Sequence, residues 1–189
     1  MFAGSKFAAF LFDMDGTVLN SIAAAERVWT KWAERHGLDI ATFLPTIHGK
    51  RAIETIGGLM LPGVDVVAEA DALLKAEADD LEGIVPIPGA EVAMAQRSGG
   101  SDSRNETAPD CFLLAAKHLG VEARDCLVFE DAPAGIAAGE ASGAPVMVIS
   151  ATHVHPLVTP HPTIRSYDEI GIAVDESGFI VLSPTRAAA

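Results

Sequence analysis

Asp13-Met14-Asp15-Gly16-Thr17 follows directly on an apolar run, Phe7-Ala8-Ala9-Phe10-Leu11-Phe12, and Glu130-Asp131 follows a second run, Cys126-Leu127-Val128-Phe129. Each run reads as a strand buried on both faces of a parallel sheet that delivers acids at its C-terminal end, the end where open α/β sheets bind ligands. Consecutive parallel elements are usually neighbours, so up to four carboxylates converge on one crevice and their repulsion calls for a cation. Oxygen ligands without nearby His or Cys fit Mg²⁺, which takes one or two protein carboxylates and completes its octahedron with water and substrate phosphate. A single acid at a strand end is ordinary turn chemistry; the pairing of two such ends singles these out.

The elements around them follow from periodicity. Asn20 or Ser21 caps a helix carrying Ile22, Ala25, Val28, Trp29 and Trp32 at helical spacing, with Gly37 as its stop. Further helical patterns run through Ile53, Ile56, Leu59 and Met60, and through Val66, Val67, Ala70, Leu73, Leu74 and Leu81. Residues 20–83 therefore form a helical insert, closed by Ile84-Val85-Pro86-Ile87-Pro88-Gly89. Residues 1–19 and 84–189 form the main domain. There a helix from Pro109-Asp110 to Gly120, the strand to Phe129, a helix over 133–142 and a strand over 145–149 give a βαβ rhythm. Ile172-Ala173-Val174 and Phe179-Ile180-Val181-Leu182 make a terminal hairpin, and residues 185–189 a frayed tail. The stretch 97–108, with Ser98-Gly99-Gly100-Ser101-Asp102-Ser103, has linker composition and no strand-like run, which marks a gap where an α/β domain should have strands.

With 26 acidic against 13 basic residues, the formal charge of −13 disfavours nucleic acid and anionic lipid and favours a cation partner. No stretch approaches the ~20 apolar residues of a spanning helix, so membrane insertion drops out. Cys111 and Cys126 have no zinc-like spacing and read as small core residues of a cytoplasmic protein. Trp29 and Trp32 read as helical core. His153 and His155 alternate as on a strand, but without a third ligand in register they read as surface polar residues.

Asp13-Met14-Asp15-Gly16-Thr17-Val18-Leu19-Asn20-Ser21 resembles the first motif of the haloacid dehalogenase superfamily of phosphatases, and Phe129-Glu130-Asp131-Ala132-Pro133-Ala134-Gly135-Ile136 resembles its fourth. The insert after the first motif is similar to the helical cap of the subgroup containing β-phosphoglucomutase and small sugar-phosphate phosphatases. Ile47-His48-Gly49-Lys50-Arg51-Ala52-Ile53 resembles the substrate-facing loop of bacterial sugar phosphatases, as does the His161 to Tyr167 stretch. The resemblance implies a Rossmann-like α/β core with a parallel sheet, a small phosphorylated metabolite as partner and Mg²⁺ as cofactor. It implies Asp13 as nucleophile, and Asp15 as the acid that protonates the leaving alcohol and later activates water. It also implies metal held by Asp13, the main chain of Asp15, Asp131 and Glu130, with Thr17, His48, Lys50 and Arg51 toward substrate.

Two family motifs lack a match. The Ser/Thr of the second is unmatched because Ser98 and Ser101 follow no strand-like run, and ungapped alignment puts Glu106, between Asn105 and Thr107, at the lysine of the third. Losing one preorganised donor costs about 10²–10³ in rate. Three expectations stand beside each other: an impaired sugar- or polyol-phosphate phosphatase, a metal- and phosphate-binding protein that does not turn over, and a phosphomutase. A missing pair of strands would also leave 7–12 with an open edge, and the chain either monomeric or associated through that edge.

Overall fold

Alternation along three apolar runs builds the main sheet. In the computed structural model, which describes residues 2, 4–100 and 109–185, the strands β2 (Ala9–Phe12), β6 (Cys126–Glu130) and β7 (Val146–Ile149) are buried along their whole length. Successive side chains of a strand point to opposite faces. Accordingly Phe10, Phe12, Leu127, Phe129, Met147 and Ile149 enter one apolar cluster, and Ala9, Leu11, Cys126, Val128, Val146 and Val148 enter the other. With both faces covered, no polar alternation survives in the sequence, which is why these strands read as continuous apolar runs.

The chain divides into two units, Met1–Asn20 with Pro86–Ala189, and Ser21–Val85. It leaves the first through β3 (Leu19–Asn20) and returns through β4 (Val85–Pro86). In the first unit five parallel strands run in the order β5 (Ser98–Gly100), β2, β6, β7, β8 (Thr163–Ile164). Two helices, α6 (Asp110–Leu119) and α7 (Pro133–Ala141), supply the second cluster through Cys111, Phe112, Ala115, Ala116, Ile136 and Ala138. The short helix α5 (Ala90–Met94) gives Ala90 and Ala93 to the first. A separate antiparallel sheet joins β1 (Lys6–Phe7), β10 (Ile180–Pro184) and β9 (Ile170–Val174). The β9–β10 hairpin turns on Asp175, whose carboxylate accepts from the Ser177 and Phe179 N–H groups.

Several expectations change. The run 7–12 is two strands, broken at Ala8, with Phe7 pairing into the antiparallel sheet and Ala9–Phe12 into the parallel one. The expected gap does contain a strand: Ser98, Gly99 and Gly100 pair in parallel with Phe10, Leu11 and Phe12. β2 therefore has neighbours on both sides, and the open edge expected along 7–12 does not exist. Among the described residues β5 is the edge strand on that side. Ser101, Asn105, Glu106 and Thr107 lie outside the described residues, as does the tail beyond Thr185. His153 and His155 sit in turns after β7 rather than on a strand.

The second unit is helical: α1 (Ile22–Arg35), α2 (Ile40–Phe43), α3 (Ala52–Leu59) and α4 (Val66–Asp79). Val28, Trp29, Trp32, Phe43, Ile56 and Leu73 form its core, with the Trp29 and Trp32 rings edge to face at 5.7 Å. The carboxylate of Asp65 accepts the Val67 and Ala68 N–H groups at 3.1 Å, satisfying donors that the first turn of α4 leaves free. Ser21 occupies the N-cap of α1 without a capping hydrogen bond from its side chain. Both cysteines are buried in the first unit and form no disulfide with one another. Among the described residues no helix is long and apolar enough to cross a membrane.

Candidate active site and metal centre

β2 and β6 are parallel neighbours with Phe12 opposite Phe129, so the residues at their C-terminal ends arrive side by side. The ladder continues one step further, the Asp13 N–H donating to the Phe129 carbonyl at 3.0 Å. Asp13, Glu130 and Asp131 thereby bring carboxylate oxygens within 4.8 Å of one another. Asp13 and Glu130 are buried, and Asp131 is partly so.

Three carboxylates this close and this dry cannot all ionise without a counter-charge. Burial, and then the charge of Asp131, raise the Asp13 pKa to about 7. Burial, then Asp13 and Asp131, raise Glu130 to about 9, although its Oε2 accepts the Ala132 N–H at 2.7 Å. A divalent ion reverses that balance, since it makes the charged form the favoured one. The donor set, hard oxygens converging from two strand ends, fits Mg²⁺ or a similar cation better than a thiophilic metal.

Two glycines make room for these acids. A Cβ on Gly16, whose φ is +85°, would lie 2.1 Å from Asp131 Oδ2, and a Cβ on Gly135 would lie 1.7 Å from Glu130 Oε1. Both separations are far inside contact distance, so any larger residue displaces a carboxylate. The loop after Asp13 is closed by the main chain: the Gly16 N–H donates to Leu19 O at 2.7 Å and the Val18 N–H to Met14 O at 2.8 Å. From beneath, the buried Tyr167 hydroxyl donates to Thr17 O at 3.2 Å. Burial, with Asp13 and Asp131 nearby, raises the Tyr167 pKa, which keeps it a donor.

The sequence-derived residues fall into three groups. Asp13, Glu130 and Asp131 come together. Asp15 is not one of the three: its side chain is exposed, its charge acts on Asp13, and its main chain bridges to Leu19. Thr17 is fully buried, and its hydroxyl favours the charged form of Asp13 without reaching a hydrogen bond of ordinary geometry. The loop is held by the main-chain bonds and the Tyr167 contact. Ser98 is level with Phe10, three residues before Asp13, and its hydroxyl donates to Met94 O at 2.9 Å, so it does not serve the strand end.

His48, Lys50 and Arg51 belong to the helical unit. His48 lies 3.2 Å from Glu26, Arg51 Nε donates to Glu54 at 3.0 Å, and Lys50 is exposed.

Sequence reasoning placed Tyr167 only within the 161–167 stretch likened to a substrate-facing loop, whereas its ring is buried under the Asp13 loop; it gave Thr152 no role and set His153 aside as a surface residue. The Thr152 hydroxyl lies 3.5 Å and His153 Nε2 3.8 Å from Asp131 Oδ2. The buried tyrosine carries no periodic signal, and the two loop residues are brought in by a turn rather than by spacing.

A profile of the haloacid dehalogenase-like hydrolases matches residues 84–143. The hexitol phosphatase A of Escherichia coli is 31% identical over 210 aligned positions, covering 92% of this chain and 97% of that protein. Those positions outnumber the 189 residues here, so the alignment opens gaps in this chain. The fructose-1-phosphate phosphatase YqaB of the same organism is 28% identical over 181 positions, covering 73% of this chain and 94% of its own. Among solved structures, a family IA, variant 3 hydrolase from Entamoeba histolytica superimposes with a TM-score of 0.69, covering 86% of this chain and 95% of that one at 21% identity. The β-phosphoglucomutase of Clostridium difficile gives 0.60, covering 76% and 84% at 21% identity. These structures share the fold. The 31% identity running through almost the whole of both sequences goes further, and the chain belongs to the haloacid dehalogenase-like hydrolases, in the subgroup of the sugar-phosphate phosphatases.

Proposed function

We propose that this chain is a Mg²⁺-dependent phosphomonoester hydrolase of small sugar or polyol phosphates, working through an aspartyl-phosphate on Asp13. The observation that carries the reading is the buried Asp13 carboxylate at the end of an interior strand, within 4.8 Å of two further carboxylates. Asp13, Glu130 and Asp131 would hold the ion with side-chain oxygens and Asp15 with its carbonyl. Bound there, Mg²⁺ neutralises the carboxylates and the phosphate and so admits a dianion to an acidic site.

Asp13 sits where strand and loop fix it, so its attack on phosphorus is an oriented step. One Asp13 oxygen forms a bond to phosphorus as the bond from phosphorus to the ester oxygen breaks. The alkoxide leaves with a proton from Asp15, whose exposed position suits a group that exchanges protons with an alcohol and then with water. In the second half, Asp15 takes a proton from water, the hydroxyl oxygen bonds to phosphorus, and Asp13 is released with inorganic phosphate. We assign His48, Lys50 and Arg51 to substrate recognition in the helical unit. The substrate class rests on the hexitol and fructose-1-phosphate phosphatases named above. Two buried cysteines that form no disulfide with one another fit a reducing, cytoplasmic setting.

A second reading has its own support: Ser98 is engaged with Met94 O at a level below Asp13, so it supplies no hydroxyl to the phosphoryl group. A protein that binds metal and phosphate without turnover would follow. Phosphate release from a panel of hexitol, hexose and polyol phosphates, with and without Mg²⁺, separates the two. Mg²⁺-dependent release that disappears in a folded Asp13→Asn variant supports the hydrolase. Phosphate binding without release by the unaltered chain supports the binding protein, and conversion of a hexose 1-phosphate to its 6-phosphate isomer the mutase.

A further inference from the structure

β7 lies beside β6 in parallel, with Val148 opposite Glu130, so the chain leaving β7 emerges at the same sheet end as Asp131. It does not run away from that end. The Ser150 N–H donates to Ile164 O at 2.8 Å, and the His153 N–H donates to Ser150 O at 3.3 Å, folding residues 150–153 into a turn. The Ser150 hydroxyl adds a second bond to Ile164 O at 3.2 Å, anchoring the turn on the neighbouring strand β8.

Both side chains at the far side of this turn approach one atom. Thr152 Oγ1 stands 3.5 Å and His153 Nε2 3.8 Å from Asp131 Oδ2. The His153 and Asp131 side chains are only 18% and 17% exposed, so their approach is shielded from bulk water. The hydroxyl is at the limit of a direct hydrogen bond, and the ring nitrogen is at a span that one water or a small rotation closes. Oδ2 is also the oxygen that faces the space left by the missing side chain of Gly16. An acid that joins two other carboxylates at a cation needs its plane fixed, because one torsion decides whether it offers an oxygen inward or swings out to solvent. Outer groups that hold a ligating carboxylate or imidazole change metal affinity about 10–100-fold.

We propose that Thr152 and His153 are positioning residues for Asp131: together they hold its Oδ2 and so orient the carboxylate toward the cation site it shares with Asp13 and Glu130. This rests on the reading of that cluster as a metal centre. The turn formed by Ser150 and His153 is then the element that couples the β7 loop to the chemistry at the end of β6. The pair also accounts for a histidine that composition and spacing leave without a role. Two donors converge on the same oxygen, so the loss of one should be felt less than the loss of both.

The test is Mg²⁺ binding to the whole purified chain by calorimetry and by the metal-induced rise in melting temperature, neither of which needs turnover. Parent, Asp131→Ala, Asp131→Asn, His153→Ala, His153→Gln, Thr152→Val, Thr152→Ser and the double variant His153→Ala/Thr152→Val are compared, with His153→Ala and Thr152→Val also made in the Asp131→Asn background. Circular dichroism first establishes that each is folded. We expect His153→Ala and Thr152→Val each to weaken Mg²⁺ affinity about tenfold or more and the double variant more than either. His153→Gln keeps an N–H near the position of Nε2, and Thr152→Ser keeps the hydroxyl, so both should recover most of the affinity. In an Asp131→Asn background the His153 and Thr152 substitutions should have little further effect.

Unchanged Mg²⁺ affinity in folded His153→Ala and in the double variant, with affinity lost in Asp131→Ala, overturns the positioning role and leaves the metal centre standing. Full additivity of His153→Ala with Asp131→Asn overturns it as well. A parent chain that binds no Mg²⁺, or an Asp131→Ala variant that binds as the parent does, overturns the metal centre and this proposal together.

Discussion

An acid whose folded-state pKa lies above its unfolded value keeps its proton longer in the folded chain. The stability it lends is complete below the unfolded value and is lost as pH rises through the folded one. Asp13, raised from 3.8 to about 7, and Glu130, raised from 4.5 to about 9, both have this sign. The metal-free protein should therefore lose melting temperature steadily between about pH 4 and 9, the opposite of the usual carboxylate behaviour. Mg²⁺ should bind more tightly as pH rises, releasing protons, and should flatten the loss. Melting curves from pH 5 to 9 with chelator and with Mg²⁺ check this, and Glu130→Gln should remove the upper part of the slope. A metal-free protein that gains stability across that range contradicts the shared burial of the two acids.

In the helical unit the prediction concerns ground-state binding. Lys50→Ala or Arg51→Ala should raise KM about tenfold with kcat nearly kept, the effect of about 1.4 kcal/mol of lost binding. Equal loss in kcat would move these residues into the chemical step. Asp13, Glu130 and Asp131 were legible because two apolar runs end in acids. The carboxylate-sized spaces at Gly16 and Gly135, the Tyr167 support and the Asp131 contacts were not, because each joins residues distant in sequence without a period to announce it.

Among elements, the apolar strands were readable for the reason that makes them stable: apart from the terminal Glu130 of β6, burial on both faces leaves only Phe, Leu, Val, Ile, Met, Cys and Ala. β5 was unreadable for the converse reason. Ser98-Gly99-Gly100 carries almost no side chain, and what makes it a strand is its pairing with the backbone of β2 beside it. The missing side chain also lets α6 approach, since a Cβ on Gly99 would lie 3.2 Å from Leu119 Cδ1 and 3.5 Å from Ala115 Cβ. Gly99→Val should therefore push α6 off the sheet edge and cost about 1–3 kcal/mol despite its favourable strand propensity. Denaturant unfolding measures this, and a neutral or stabilising result would return residues 98–100 to a linker. The break at Ala8 was likewise hidden, because Phe7 and Phe10 are both apolar while only their partners, Ile180 and Ser98 with Leu127, place them in different sheets.

At the scale of the molecule, a chain with formal charge −13 concentrates three of its acids at one buried point on the sheet, where a cation is the natural complement. The helical insert and the sheet unit each have a core of their own, and the insert was legible from helical periodicity because Trp29, Trp32 and Phe43 converge on it. The gaps that the alignment with hexitol phosphatase A opens in this chain set the question of turnover apart from that of fold. The central claim is that Asp13 receives the phosphoryl group. The direct measurement is mass spectrometry of the acid-quenched Asp15→Asn chain after incubation with a hexitol phosphate and Mg²⁺, because that variant is expected to release phosphate from the enzyme slowly. The account predicts the mass of one phosphoryl group on the peptide carrying Asp13, absent in Asp13→Asn/Asp15→Asn. Phosphate released by the parent chain with no phosphoryl group ever found on Asp13, or with the group on another residue, would contradict it.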